Sequence, residues 1–170
     1  MVRLVRVLRH RWEKDGNHTV PTEVLERLRL RVAASEQLHS GEIRICIEAG
    51  LPNSYLWRKE TMPALLRQRA MAQFGRLRVW DTEHNNGVLI YLCLAEHAIE
   101  LVADRGVNRI APANYWEATI GTLGAALKHG AFEEGLGLAV DAVGSLLHTH
   151  FALSAGDSNP NELPDAPSVS

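Results

Sequence analysis

At 170 residues, with 46% hydrophobic and 22% charged side chains, the chain is long enough for one domain with a real core, and wholesale disorder is excluded. Lys plus Arg number 18 against 20 Asp plus Glu, a net charge of −2 that argues against a dedicated nucleic-acid binder. The two cysteines, Cys46 and Cys93, lie in separate apolar runs. That excludes a disulfide scaffold and points to reduced, buried thiols in a cytoplasmic protein.

Residues 1–19 read as a basic N-terminal arm. Arg3, Arg6, Arg9, Arg11 and Lys14 outnumber Glu13, and arginines interrupt the apolar residues too often for a secretory signal. The arm has two readings: a packing segment with a solvated charged face, which is favoured, or an amphipathic helix on an anionic membrane surface. The longest apolar run, Val88 to Ala95, falls well short of the roughly 20 residues of a membrane span.

A first helix is expected over residues 20–39. Val24, Leu28 and Val32 recur every four residues, Pro21 suits the first turn and Gly41 the stop. Ile43, Ile45 and Ile47 alternate with Arg44, Cys46 and Glu48, the period of a half-buried strand. After a loop at residues 51–54, a second helix spans about 61–77. Its apolar face carries Leu66, Ala70, Phe74 and Leu77. The polar loop 81–87 leads into Val88–Leu94, apolar on both faces and therefore a central strand covered on each side. A turn at Glu96-His97-Ala98 opens a third strand, Ile99 to Ala103, which Asp104-Arg105-Gly106 ends. Helices follow at about 112–129 and 132–151. Residues 152–170 carry Asp157, Glu162 and Asp165 and no base among Pro, Ser and Asn, which reads as a disordered acidic tail.

The order α-β-α-β-β-α-α predicts an α/β fold: a three-layer α/β/α sandwich with a short mixed sheet over residues 20–151. Its first two strands run parallel through a crossover helix, and the third lies antiparallel at an edge. A competing reading makes Asn86-Gly87 a hairpin turn after a strand at residues 76–80.

No phosphate-cradling GxxxxGK[ST] or GxGxxG loop is present, nor is HExxH. Neither cysteine is followed by the anion-binding loop of a cysteine phosphatase, and both sit mid-strand. His148 and His150, two apart on a helix, face different sides and cannot share one metal. His10, His18, His39, His97 and His129 read as surface or turn residues.

The richest candidate site is the loop Asp81-Thr82-Glu83-His84-Asn85-Asn86-Gly87. Its carboxylates and amide oxygens suit a hard cation, Ca²⁺ or Mg²⁺, with no organic cofactor. The antiparallel pairing places Asp104 beside the start of the central strand, where it could add an oxygen. The structural alternative is turn chemistry alone, with Asp81 capping, Asn85 and Asn86 satisfying backbone, and Gly87 supplying positive φ.

Residues about 40 to 151 resemble the TPM domain family. The likeness rests on Gly41-Glu42-Ile43-Arg44-Ile45, on Trp80, and on Asn85-Asn86-Gly87-Val88-Leu89-Ile90, similar to the family's "NNGVLL". It continues through Ile99 to Val107, similar to "VRIEVGxGLE", and Phe132-Glu133-Glu134-Gly135 at the start of the last helix. The chain is most similar to a short, soluble proteobacterial branch. It differs from the pattern at Ala103-Asp104-Arg105-Gly106, and at Ala111-Pro112-Ala113-Asn114, which lacks the family's Asp. The resemblance implies an α/β/α sandwich, strand-end loops that hold divalent metal, and a phosphatase activity proposed for one member.

Together these give two functional readings. In the first, a binding or regulatory module holds Ca²⁺ or Mg²⁺ through Asp81, Glu83, Asn85, Asn86 and Asp104, and engages a protein partner, with a membrane-associated one as a candidate. In the second, a metal-dependent phosphatase uses the same loops, with Arg105 as the candidate to neutralise the oxyanion.

Overall fold

The chain is described by a computed structural model over residues 20–112, 114–128, 131–154, 156 and 158–170. The basic arm lies outside the described residues. In chain order the elements are α1 (Thr22–Glu36), β1 (Glu42–Glu48), α2 (Asn53–Leu56), α3 (Met62–Arg76), β2 (Gly87–Cys93), a 3-10 turn (Leu94–Glu96) and β3 (Ala98–Ala103). Then come α4 (Arg105–Ile110), α5 (Tyr115–Lys128), α6 (Phe132–Phe151) and β4 (Ser168–Val169).

Every residue of β2 is buried, because helices cover both faces of the sheet. Val88, Ile90 and Leu92 join Ile43, Ile45 and Ile47 of β1 beneath α1, α5 and α6, with Leu28, Val32, Val140 and Leu147 completing that core. Leu89, Tyr91 and Cys93 face the other way, packing with Cys46 against Leu65, Leu66 and Ala70 of α3 and Leu56 of α2. The result is the expected three-layer α/β/α arrangement.

The sheet order is β3-β2-β1-β4. β1 and β2 are parallel, with Glu42 opposite Gly87 and Glu48 opposite Cys93; β2 and β3 are antiparallel, with Val88 opposite Ala103. No strand forms at residues 76–80, so the hairpin reading is discarded. Instead α3 ends in a left-handed Arg78 (φ 57°), whose N–H donates to the Gly75 carbonyl while that of Val79 reaches back to Phe74. This is a Schellman stop with arginine where glycine is usual.

Three local expectations are corrected. Residues 53–56, which overlap the loop expected at 51–54, form a helical turn, and Asp104 does not merely end β3: its carboxylate caps α4, accepting from the Arg105 N–H at 2.6 Å. His39, read as a turn or surface residue, is fully buried. Its Nδ1–H donates to the Gly41 carbonyl and its Nε2 accepts from the Ser35 hydroxyl, each at 3.0 Å.

The tail departs furthest from expectation. Residues 158–170 run back over the β1 edge, where β4 pairs parallel with Cys46 and Ile47, adding a fourth strand to the three expected. Composition misleads here because the segment is fixed by hydrogen bonds from the domain rather than by its own apolar content. The Glu42 carboxylate accepts from the N–H groups of Glu162 and Leu163, and Asn159 donates to the carbonyls of Glu36 and His39. The Arg44 guanidinium donates to the carbonyls of Pro164 and Ala166. Leu163 adds one buried apolar side chain.

Candidate functional site

The register that opposes Val88 to Ala103 brings loop 81–87 and the start of α4 to the same rim of the sheet. The Asp104 N–H donates to the Gly87 carbonyl at 2.9 Å, and the Gly106 N–H to the Asn85 carbonyl at 3.0 Å. Arg105 Nε donates to Asn85 Oδ1 at 2.8 Å.

Two glycines permit this approach. A Cβ on Gly106 would stand 2.5 Å from the Asn85 carbonyl oxygen, and one on Gly87 only 2.0 Å from that of Val79. Gly87 is therefore required by close backbone approach, not by the positive φ expected of it. The left-handed residue is Asn85 (φ 53°), whose side chain tolerates that region.

Asn86 is fully buried. Its Nδ2 donates to the Ser40 carbonyl at 3.1 Å and its N–H to Thr82 Oγ1 at 3.1 Å, yet its Oδ1 has no hydrogen-bond partner. Asp104 Oδ2 is likewise buried and without a partner. Both oxygens belong to residues of the predicted site.

Asp81 and Glu83 occupy different surroundings. Asp81 is exposed with Arg78 Nε 3.7 Å away, and Glu83 presents its N–H to the Glu162 carboxylate at 3.1 and 3.2 Å. Among the described residues no group of three or more His, Cys, Asp or Glu is placed to hold a metal ion. The rim thus unites Asn85, Asn86, Asp104 and Arg105, while the two loop carboxylates do not join Asp104 in such a group. Beside it a cleft of about 560 Å³ is lined by Ser40, Glu83, His84 and Glu162 among others.

A second polar centre, missed from the sequence, lies at the opposite end of β1. Glu48 is almost fully buried and accepts from Arg69 at 2.5 and 2.8 Å, from Gln73 at 2.5 Å and from the Tyr91 hydroxyl at 2.8 Å. Burial opposes its ionisation, but the bonds from Arg69, Tyr91 and Gln73 outweigh it and hold the carboxyl below the usual range. Every oxygen of Glu48 is satisfied, as a structural ion pair requires. One signal was legible: Arg69 and Gln73 are four apart, on one face of α3.

Glu36 behaves differently. Burial pushes its carboxyl up to about 9, with Glu42 and Asp165 nearby adding to the rise, so it is protonated at neutral pH. Neither cysteine is a nucleophile: burial pushes both thiols up to about 12.

The TPM domain family model matches residues 14–146. The chain belongs to the TPM domain family. Among solved structures, this TPM domain is similar to the NMR structure of the BA42 protein from the psychrophilic bacterium Bizionia argentinensis. The TM-score is 0.75 at 25% identity, covering 92% of this chain and 99% of that one. It also shares its fold with the N-terminal domain of a protein from P. gingivalis, with a TM-score of 0.56 at 19% identity, covering 79% and 80%. No curated protein matches it. No helix among the described residues of this TPM domain is long and apolar enough to cross a membrane.

Proposed function

We propose that this TPM domain is a non-catalytic binding or regulatory module, whose rim at Asn85, Asn86 and Asp104 takes a divalent cation, Ca²⁺ or Mg²⁺. The observation that carries the reading is the pair of buried oxygens, Asn86 Oδ1 and Asp104 Oδ2, left without hydrogen-bond partners at one end of the sheet. Orphaned buried oxygens are costly, and a hard cation satisfies carboxylate and amide oxygens together. Because no trio of His, Cys, Asp or Glu converges here among the described residues, backbone carbonyls or water would complete the coordination, which favours weak, exchangeable binding over a permanent centre.

A binding role is favoured over phosphate-ester hydrolysis because Arg105, the candidate to neutralise the oxyanion, is engaged by Asn85 Oδ1. In the phosphatase alternative the cation would activate water, and Arg105 would have to release Asn85 to reach the phosphoryl oxygens. A protein partner, with a membrane-associated one as a candidate, belongs to the binding reading.

Titration calorimetry with Ca²⁺ and with Mg²⁺ tests the cation site. The wild type gives a binding isotherm that Asp104→Asn weakens at least tenfold, while heat from neither cation removes the reading. Hydrolysis of p-nitrophenyl phosphate that requires the cation and is lost in Arg105→Ala would favour the enzyme instead.

A further inference from the structure

Charge is strongly segregated on this molecule. Residues 57–80 hold six of the chain's 18 basic side chains (Arg58, Lys59, Arg67, Arg69, Arg76 and Arg78) and one of its 20 acids, Glu60. The segment builds α3, the longer of the two helices on the α2–α3 face of the sheet, together with the turns at its two ends. Arg69 is consumed by Glu48, and Arg67 and Arg78 face Glu100 and Asp81 at 3.5 and 3.7 Å. Arg58, Lys59 and Arg76 form no ion pair among the described residues, though Arg58 donates to Gln68 and Arg76 to Gln73, each at 2.7 Å.

Large apolar side chains stand among these charges. Trp57 is 59% exposed before α3, Met71 52% exposed in its middle and Trp80 50% exposed after it. The other exposed positions of α3 are Pro63, Arg67, Gln68, Ala72, Gly75 and Arg76. Both ends are held in place. Arg58 donates to Gln68 at 2.7 Å and lies 4.1 Å over the Tyr55 ring, which fixes the turn carrying Trp57. The Schellman stop fixes Arg78 and Trp80, and it does so with an arginine at a left-handed position that glycine would occupy without strain.

We propose that the outer face of α3, from Trp57 to Trp80, docks on an anionic lipid surface. Helix α3 is about 22 Å long at 1.5 Å per residue, with exposed Trp57, Met71 and Trp80 and basic side chains along it and in the turns at its ends. An anionic interface suits that composition: basic side chains meet the headgroups, while tryptophan settles at the polar–apolar boundary. Each basic residue near an anionic surface is worth roughly fivefold in partition, so three of them matter. The surface lies on the opposite layer from α1, α5 and α6, and the proposal does not depend on the cation rim.

Sedimentation of the full chain with phosphatidylcholine vesicles, with and without phosphatidylserine, tests it. The wild type pellets with the mixed vesicles and not with phosphatidylcholine alone. The combined variant Lys59→Glu, Arg76→Glu, Arg78→Glu loses at least tenfold in partition with an unchanged circular dichroism spectrum, and Trp57→Ser with Trp80→Ser also weakens it. The spectrum controls for folding, since Arg76 donates to the buried Gln73 at 2.7 Å and Arg78 lies 3.7 Å from Asp81. Absence of wild-type sedimentation overturns the proposal. So does equal sedimentation of the charge-reversed variant, which would assign binding to the arm at residues 1–14, and so does retention on single-stranded RNA without vesicle binding.

Discussion

The amide of Gly106 donates to the carbonyl of Asn85 at 3.0 Å, closing two loops from different strands onto each other. A methyl group on Gly106 would lie 2.5 Å from that same oxygen and 2.8 Å from the carbonyl of His84. Neither obstacle is a flexible side chain, so the loops would have to part. Gly106→Ala is therefore expected to cost about 1–3 kcal/mol, a fall of several degrees in thermal midpoint, and to lower cation affinity as well. A substitution that leaves both unchanged would show that the rim is not assembled through this contact.

The Glu36 carboxyl sets an alkaline limit on stability. Its native value, raised to about 9, lies above its value in the unfolded chain, so the native state holds the extra proton between roughly pH 4.5 and 9. Stability is fully present below that window and declines as pH rises through it, by at most about 1.4 kcal/mol per pH unit for this one proton. Glu42, also raised by burial, adds in the same direction. Glu36→Gln keeps an oxygen for the Ile43 N–H, which now donates at 2.7 Å, and carries no proton to lose. Urea denaturation of the variant should show a flatter pH profile and greater stability than wild type at pH 8, with little difference at pH 5.

Glu48 acts with the opposite sign. Its carboxyl, held low by Arg69, Tyr91 and Gln73 against burial, contributes stability above the ordinary carboxylate range, and that contribution is lost as pH falls. Arg69→Met leaves a buried anion with fewer partners and is expected to cost about 3 kcal/mol. The loss of a hydrogen bond from Tyr91 alone, in Tyr91→Phe, should cost about 1–2 kcal/mol. Chemical denaturation of both variants measures the ratio, and equal costs would show that the ion pair adds nothing beyond hydrogen bonding.

Burial of the two thiols predicts slow chemistry. With Cys46 and Cys93 fully buried and pushed up to about 12, neither reacts in the native state at neutral pH. Labelling by a maleimide should proceed at the rate of unfolding and accelerate with denaturant. Rapid labelling of the folded protein would contradict the packing of the α3 layer.

Leu163 anchors the returning segment. It is 8% exposed within the α3-side core, and Leu163→Ala is expected to cost about 2 kcal/mol. Hydrogen exchange at the Ala49 amide, which donates to the Ser170 carbonyl, should quicken selectively in that variant. Unchanged exchange would mean that hydrogen bonds alone hold the segment.

Periodicity carried most of the architecture. The fourfold recurrence of Val24, Leu28 and Val32, the alternation of Ile43, Ile45 and Ile47, and the unbroken apolar run into Cys93 each reflect a local rule of helix or strand geometry, and each element formed where the pattern lay. The proximity of Asp104 to Gly87 was also legible, since antiparallel pairing dictates which strand ends meet. Tertiary structure decided what covers the other side of β1. Its alternation reads as one wet face, yet Glu42, Cys46 and Glu48 are buried. The covering groups come from α3 and from residues 158–170, more than a hundred positions away in the second case. Whether a carboxylate at such a position meets water, an arginine or two backbone amides is a matter of long-range contact. No local pattern in β1 encodes it, which is why the partners of Glu48 and the returning tail could not be read from the strand, while the strand itself was plain.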